Sequence, residues 1–135
     1  MIYPNKFRNN EYTHSDNDFQ SKKTNENDVQ SQALKEFNRL RELISKSGIE
    51  VFSFDDDSEF DTPDAVFPNN WISFHHQHKA ILYPMFSPNR RFERESKILD
   101  KLSRSGIEIE LIKNYSIHED KNRFFMLRWL MIFDF

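Results

Sequence analysis

The chain has 135 residues with a formal net charge of −3 and no cysteine. That length suits one domain, and the charge offers no basic excess for nucleic acid or an anionic membrane. The missing cysteine excludes disulfides, thiolate metal sites and a thiol nucleophile within these residues. Apolar residues make up 37% and charged residues 30%, a thin core supply that 14 Phe partly offset. The first residues lack the charged-then-apolar layout of a signal peptide, so a cytoplasmic protein is expected.

Residues 1–3 read as a short strand closed by Pro4, and residues 5–28 as polar loop or partial disorder. From Val29 the apolar spacing turns helical. Ala33, Phe37, Leu40 and Ile44, with Leu34 and Leu43 beside them, predict a helix. Asn27 or Asp28 would cap it, and Gly48 would stop it. Ile49–Phe54 alternates like a strand, and residues 55–63 form an acidic loop. Two strands near 70–76 and 79–84 make a hairpin. A second helix over 90–104 turns Phe92, Ile98, Leu99 and Leu102 inward, Gly106 ends it, and Ile107–Ile112 is the next strand. The apolar run Phe124–Phe135 reads as a buried strand or strand pair, too short to cross a bilayer.

The segment Ser45–Val51 is echoed by Ser103–Ile109 in residue or chemical type. Each copy is a helix end, a glycine stop and an outgoing strand. A repeat of stacked units explains the echo, as does the shared demand of any helix–glycine–strand junction.

Among polar constellations, Asp64, Asn69 and Asn70 either ring a planar, nitrogen-rich group or simply make two turns by Asx hydrogen bonds. Arg90, Arg91 and Arg94 either grip a substrate carboxylate or pair on the surface with Glu93 and Glu95. Cations at the start of a helix oppose its dipole, which tilts the balance toward function. His75, His76 and His78 sit on a hairpin turn with no carboxylate placed to complete a metal site. Asp55, Asp57, Glu59 and Asp61 alternate as in a calcium loop, but Phe60 stands where such a loop needs glycine. No metal and no cofactor are expected.

Three blocks carry a family resemblance: Asp64-Ala-Val-Phe-Pro-Asn-Asn-Trp71, Leu82-Tyr-Pro-Met85 and Pro88-Asn-Arg-Arg91 with Glu93-Arg94. Together with Pro4, Phe7, Asn10, Glu11, Thr13, Asn17 and Phe19-Gln20, they resemble the arginine deiminase-related hydrolases of the amidinotransferase superfamily, closest to the group called citrulline utilization hydrolase. The resemblance implies an α/β fold, a partial pentein propeller of about two of five ββαβ-type units. Residues 1–135 would be the N-terminal portion of such a domain. It implies a hydrolase of guanidino or ureido C–N bonds whose Cys and His lie outside this chain, in a half that would be encoded separately. Asp64 would orient the substrate. Asn69, Asn70, Arg90 and Arg91 would join it in binding a small guanidino or ureido amino acid, and an Asn at 70 suits neutral citrulline. Where relatives carry an acidic catalytic-site Glu, this chain has Met126, and residues 126–130 are bulky with no change in length, as two compensating frameshifts would produce. The expectation is a chain inactive by itself; the alternative is a non-catalytic amino-acid-binding fragment or a pseudogene remnant.

Overall fold

A computed structural model describes residues 1–13 and 26–121. The expectations for residues 14–25 and 122–135, including the C-terminal strand, Asn17, Phe19-Gln20 and Met126, lie outside the described residues.

The first helix, α1, spans Glu26–Lys46. It begins before the expected caps, so Asp28 falls inside its first turn, where a negative charge suits the helix dipole. Only part of the apolar stripe turns inward. Phe37 is buried and packs on Tyr3, ring centroids 4.6 Å apart, with the Arg41 guanidinium over the same Tyr3 ring. Leu34, Leu40 and Leu43 remain exposed.

The helix ends as the sequence predicts. Gly48 has φ +83°, Gly48 N–H donates to Ser45, and Ile49 N–H reaches back to Ile44. The echoed segment closes in the same way: Gly106 has φ +84°, with Gly106 N–H on Ser103 and Ile107 N–H on Leu102. These paired bonds satisfy helix-end carbonyls that would otherwise lack partners, and the left-handed φ is what glycine supplies. A Cβ at either glycine would meet nothing within 4 Å, so the backbone angle alone penalises a side chain. Gly48→Ala and Gly106→Ala are each expected to cost about 1–2 kcal/mol, read as a lowered chemical-denaturation midpoint with unchanged slope.

The echo stops at the glycines. Ile49–Phe54, expected as a strand, makes one parallel bridge among the described residues, Phe54 to Ile2. Phe52 and Phe54 find backbone partners in Met1 and Tyr3, and Phe54 packs against the core. Strands β1 (Ile72–His75) and β2 (Lys79–Leu82) pair antiparallel, with Ile72 opposite Leu82 and His75 opposite Lys79. Strand β3, Glu110–Asn114, starts later than predicted and lies parallel to β2, giving the order β1-β2-β3.

The second predicted helix is broken. A single turn, α2 (Pro88–Arg91), runs into a 3-10 segment, Phe92–Ser96, and α3 covers Ile98–Arg104. Lys97 breaks the run with φ 53°. Phe92, expected inside, is exposed and stacks on Phe60, ring centroids 4.2 Å apart. Ile98 enters the core, and Leu99 and Leu102 pack against it.

That core joins Ile2, Ala65, Trp71, Ile72, Ala80, Leu82, Met85 and Ile98. It fastens the hairpin to α3 and to the loop that carries Asp64. The region 5–13, read as loose, is pinned on the acidic loop: Lys6 Nζ donates to the carbonyls of Ser58 and Phe60, and Arg8 pairs with Asp61 and Glu11. Asp55, Asp57, Glu59 and Asp61 are exposed as expected, whereas Asp56 is buried, bonded to Thr62 and Ser58 with Lys6 3.4 Å away. The architecture is a small mixed α/β assembly with a three-stranded sheet. No helix of the described residues is long and apolar enough to cross a membrane.

Candidate functional site

The loop between the acidic segment and β1 turns twice. Ala65 N–H bonds Thr62, and Phe67 N–H bonds Asp64, which leads into a 3-10 turn over Pro68–Asn70. The expected turns form, closed by backbone bonds, and they deliver side chains to one place. Asp64 is buried, and its Oδ2 accepts from Asn10 Nδ2 at 2.6 Å. Arg90, on α2, brings its Nε to 3.8 Å from the same oxygen.

The Arg90 guanidinium is held from several sides. Its Nε and Nη2 donate to Glu93 Oε1 and Oε2 at 2.7 and 3.2 Å, and Nη2 also approaches the Phe67 carbonyl at 3.4 Å. With the Asn70 amide turned so that its oxygen faces Arg90, that oxygen accepts from Nη2 at 3.0 Å and Nη1 at 3.1 Å. The structure thus brings Asp64, Asn70 and Arg90 together. Asn69 is exposed at the rim of the turn.

Arg91 points elsewhere. Its Nε donates to the Met85 carbonyl at 2.9 Å and its Nη2 to Phe86 at 3.3 Å, with Glu119 4.0 Å away. Buried Glu119 accepts from Met85 N–H and from Arg94 Nη2, both at 2.7 Å, and so ties the 3-10 segment Ser116–Lys121 to the strand exit. Because α2 is only one turn, the dipole argument for its arginines does not apply. Contacts to carbonyls and buried carboxylates hold them instead.

Glu93 is the residue the sequence reading misplaced. Expected on the surface, it is 1% exposed. Burial pushes its carboxyl up to about 7 against the opposing pull of Arg90, and the nearby Asp64 and Asp56 charges add to the rise. Its spacing, three residues after Arg90, was the available signal, since i,i+3 side chains meet on a helical turn. Asn10 and Asn89 were also missed. Asn89 Nδ2 donates to Asn10 Oδ1 at 2.9 Å, and both are buried.

The histidines gather around a different feature. His75 Nε2 lies 2.8 Å from Ser73 Oγ, and His78 Nδ1 lies 3.3 Å from the Glu108 carbonyl. With Phe74, Leu102, Ile107 and Ile109 they line a cavity of about 400 Å³. A second cavity, about 210 Å³, lies between Trp71, Leu82, Arg94 and α3. Neither includes Asp64, Asn70 or Arg90, and the larger one carries mostly apolar walls. Residue chemistry therefore places the candidate site at the Asp64–Arg90 cluster, not in the roomier cavity. Among the described residues there is no group of three or more His, Asp or Glu able to hold a metal ion.

Compared with protein families, residues 3–135 match that of eukaryotic N,N-dimethylarginine dimethylhydrolase. The chain belongs to this family. The match spans the whole Asp64–Glu93 cluster and both echoed helix ends, and it places the chain in the pentein, or amidinotransferase, superfamily. No curated protein and no solved structure matches the chain.

Proposed function

We propose that this chain is the substrate-recognising portion of a hydrolase acting on guanidino or ureido groups. The supporting observation is the convergence of Asp64, Asn70 and Arg90 from separate segments onto one polar cluster, in a member of the dimethylarginine dimethylhydrolase family. In this reading Asp64 accepts N–H donors from the ligand's planar head, as a carboxylate suits a guanidinium fork. Asn70, with its oxygen on Arg90, keeps its NH₂ for a ligand oxygen. That donor gives a ureido head, as in citrulline, a partner that a guanidinium would not use. Arg90, with Glu93 on its Nε side, holds the Asn70 oxygen along its Nη1/Nη2 edge and so keeps that amide aimed at the ligand. Asn69 and Arg91 flank the site. The likeness to citrulline utilization hydrolase and a pentein propeller of about two units belong to the same proposal.

Covalent attack on an amidine or ureido carbon needs an activated nucleophile. These 135 residues contain no thiol. These residues are therefore proposed to bind without turning over by themselves, whether they complete a catalytic site with further residues or work as a binding module. The test is calorimetric titration with arginine, N,N-dimethylarginine and citrulline, alongside an assay for released ammonia or dimethylamine. Saturable binding of at least one ligand and no amine above the buffer rate is expected. Amine release abolished by Asp64→Ala would overturn the non-catalytic reading. Absence of binding to all three would overturn recognition.

A further inference from the structure

We propose that Asn10 is a positioning residue for ligand recognition, aiming the Asp64 carboxylate through a buried amide relay anchored by Asn89. The inference rests on the recognition reading above and adds two residues that reading does not use.

An asparagine amide has one oxygen that accepts and one nitrogen that donates, and its orientation follows from its neighbours. At Asn10 the neighbours decide it. Oδ1 receives Asn89 Nδ2 at 2.9 Å and the Tyr12 N–H at 3.1 Å, two donors that only an oxygen can satisfy. The NH₂ group must then point the other way, and it donates to Asp64 Oδ2 at 2.6 Å. Asn10 is fully buried, with Asp64 at 7% and Asn89 at 8% exposure, so no water competes strongly for these bonds.

The relay ties three segments remote in sequence: the N-terminal turn, the Asp64 loop and α2. Asn89 stands immediately before Arg90, so one end of the relay sits beside the cation of the cluster and the other end holds its anion. Among the described residues Asn10 meets only Oδ2 of Asp64, and no hydrogen bond reaches Oδ1. Holding one oxygen restrains the carboxylate's rotation and leaves the other for a ligand N–H. An amide fits this role better than a charged donor, because it orients the carboxylate without cancelling its charge toward a cationic head.

A residue acting through Asp64 differs measurably from one that merely supports the fold. Arginine dissociation constants would be determined by calorimetry for the wild-type chain, Asn10→Ala, Asp64→Asn and the double variant, with thermal unfolding recorded for each. Asn10→Ala is expected to weaken arginine binding about tenfold, the scale of a lost hydrogen bond to a charged group. In the Asp64→Asn background the same change should have almost no further effect. Unchanged binding by a folded Asn10→Ala chain, or the same loss in both backgrounds, would overturn the proposal while leaving Asp64 recognition intact. If Asn10→Ala lacks a cooperative transition, Asn89→Ala carries the test: about threefold weaker binding confined to the Asp64 background supports the relay, and unchanged binding contradicts it. Wild-type binding that is insensitive to Asp64→Asn, or absent for N,N-dimethylarginine and citrulline as well as arginine, would instead reject the recognition reading, and the relay with it.

Discussion

The chain should lose about 3 kcal/mol of stability as pH rises from about 4.5 to about 7, and Glu93→Gln should remove most of that dependence. The cause is a carboxyl buried to 1% exposure, with its folded value pushed up to about 7 from 4.5 by desolvation, against the help of Arg90. Between those values the folded chain keeps the proton and the unfolded chain has released it, so raising the pH favours unfolding. Each unit of difference is worth about 1.4 kcal/mol, which sets the size of the effect. The groups facing Glu93 are Arg90, Asp64 and Asp56, and the two aspartates act in the same direction as burial. Glu11, Glu42 and Asp57 have lowered values but are exposed, and they act at lower pH, below the usual carboxylate range. Denaturant melts at pH 5 and pH 8 check this: a wild-type chain more stable at pH 8, or a glutamine variant with the same slope, would contradict it.

Trp71→Ala is expected to cost about 3–5 kcal/mol, a drop in the unfolding midpoint of roughly 10–20 °C. Trp71 is 2% exposed at the head of β1, between the Pro68–Asn70 turn and the hairpin. Its N–H bonds the Pro68 carbonyl at 3.1 Å, and its carbonyl receives Tyr83 N–H at 2.8 Å. Removing the ring takes the largest side chain out of the core that Trp71 shares with Ile72, Ala80, Leu82 and Ile98. Trp71→Phe should cost far less, about 1 kcal/mol, because it retains much of the buried area and deletes an indole N–H that has no partner among the described residues. Calorimetric melts of the two variants give the comparison, and equal losses would show that the ring is not central. Because Trp71 directly follows Asn70, the alanine variant should also loosen the candidate site.

Part of this organisation was legible in the sequence. Apolar spacing located α1, and Gly48 and Gly106 marked two helix ends with matching hydrogen bonds. Alternation located the β1–β2 hairpin, and the Asp64–Trp71 and Pro88–Arg94 blocks pointed to residues that do converge. What escaped was set by tertiary burial. Glu93 and Asp56 look like surface charge in a chain so rich in it, and only the fold encloses them. The helix over 90–104 breaks at Lys97, which carries neither Gly nor Pro to announce the break. Asn10 lies in a polar run with no periodicity, so nothing local marks it as the partner of Asp64. Leu34, Leu40 and Leu43 satisfy the helical stripe yet remain exposed, and among the described residues of α1 Phe37, packed on Tyr3, is the buried apolar side chain.

The central claim is where a guanidino or ureido amino acid binds, and amide chemical-shift mapping during an arginine titration tests it most directly. The account predicts saturable shifts confined to the Asp64–Asn70 loop, the Asn10 turn and Asn89–Arg90, all lost in Asp64→Ala. Shifts centred on the cavity lined by His75–His78, Ile107 and Ile109, or shifts that survive Asp64→Ala, would contradict it.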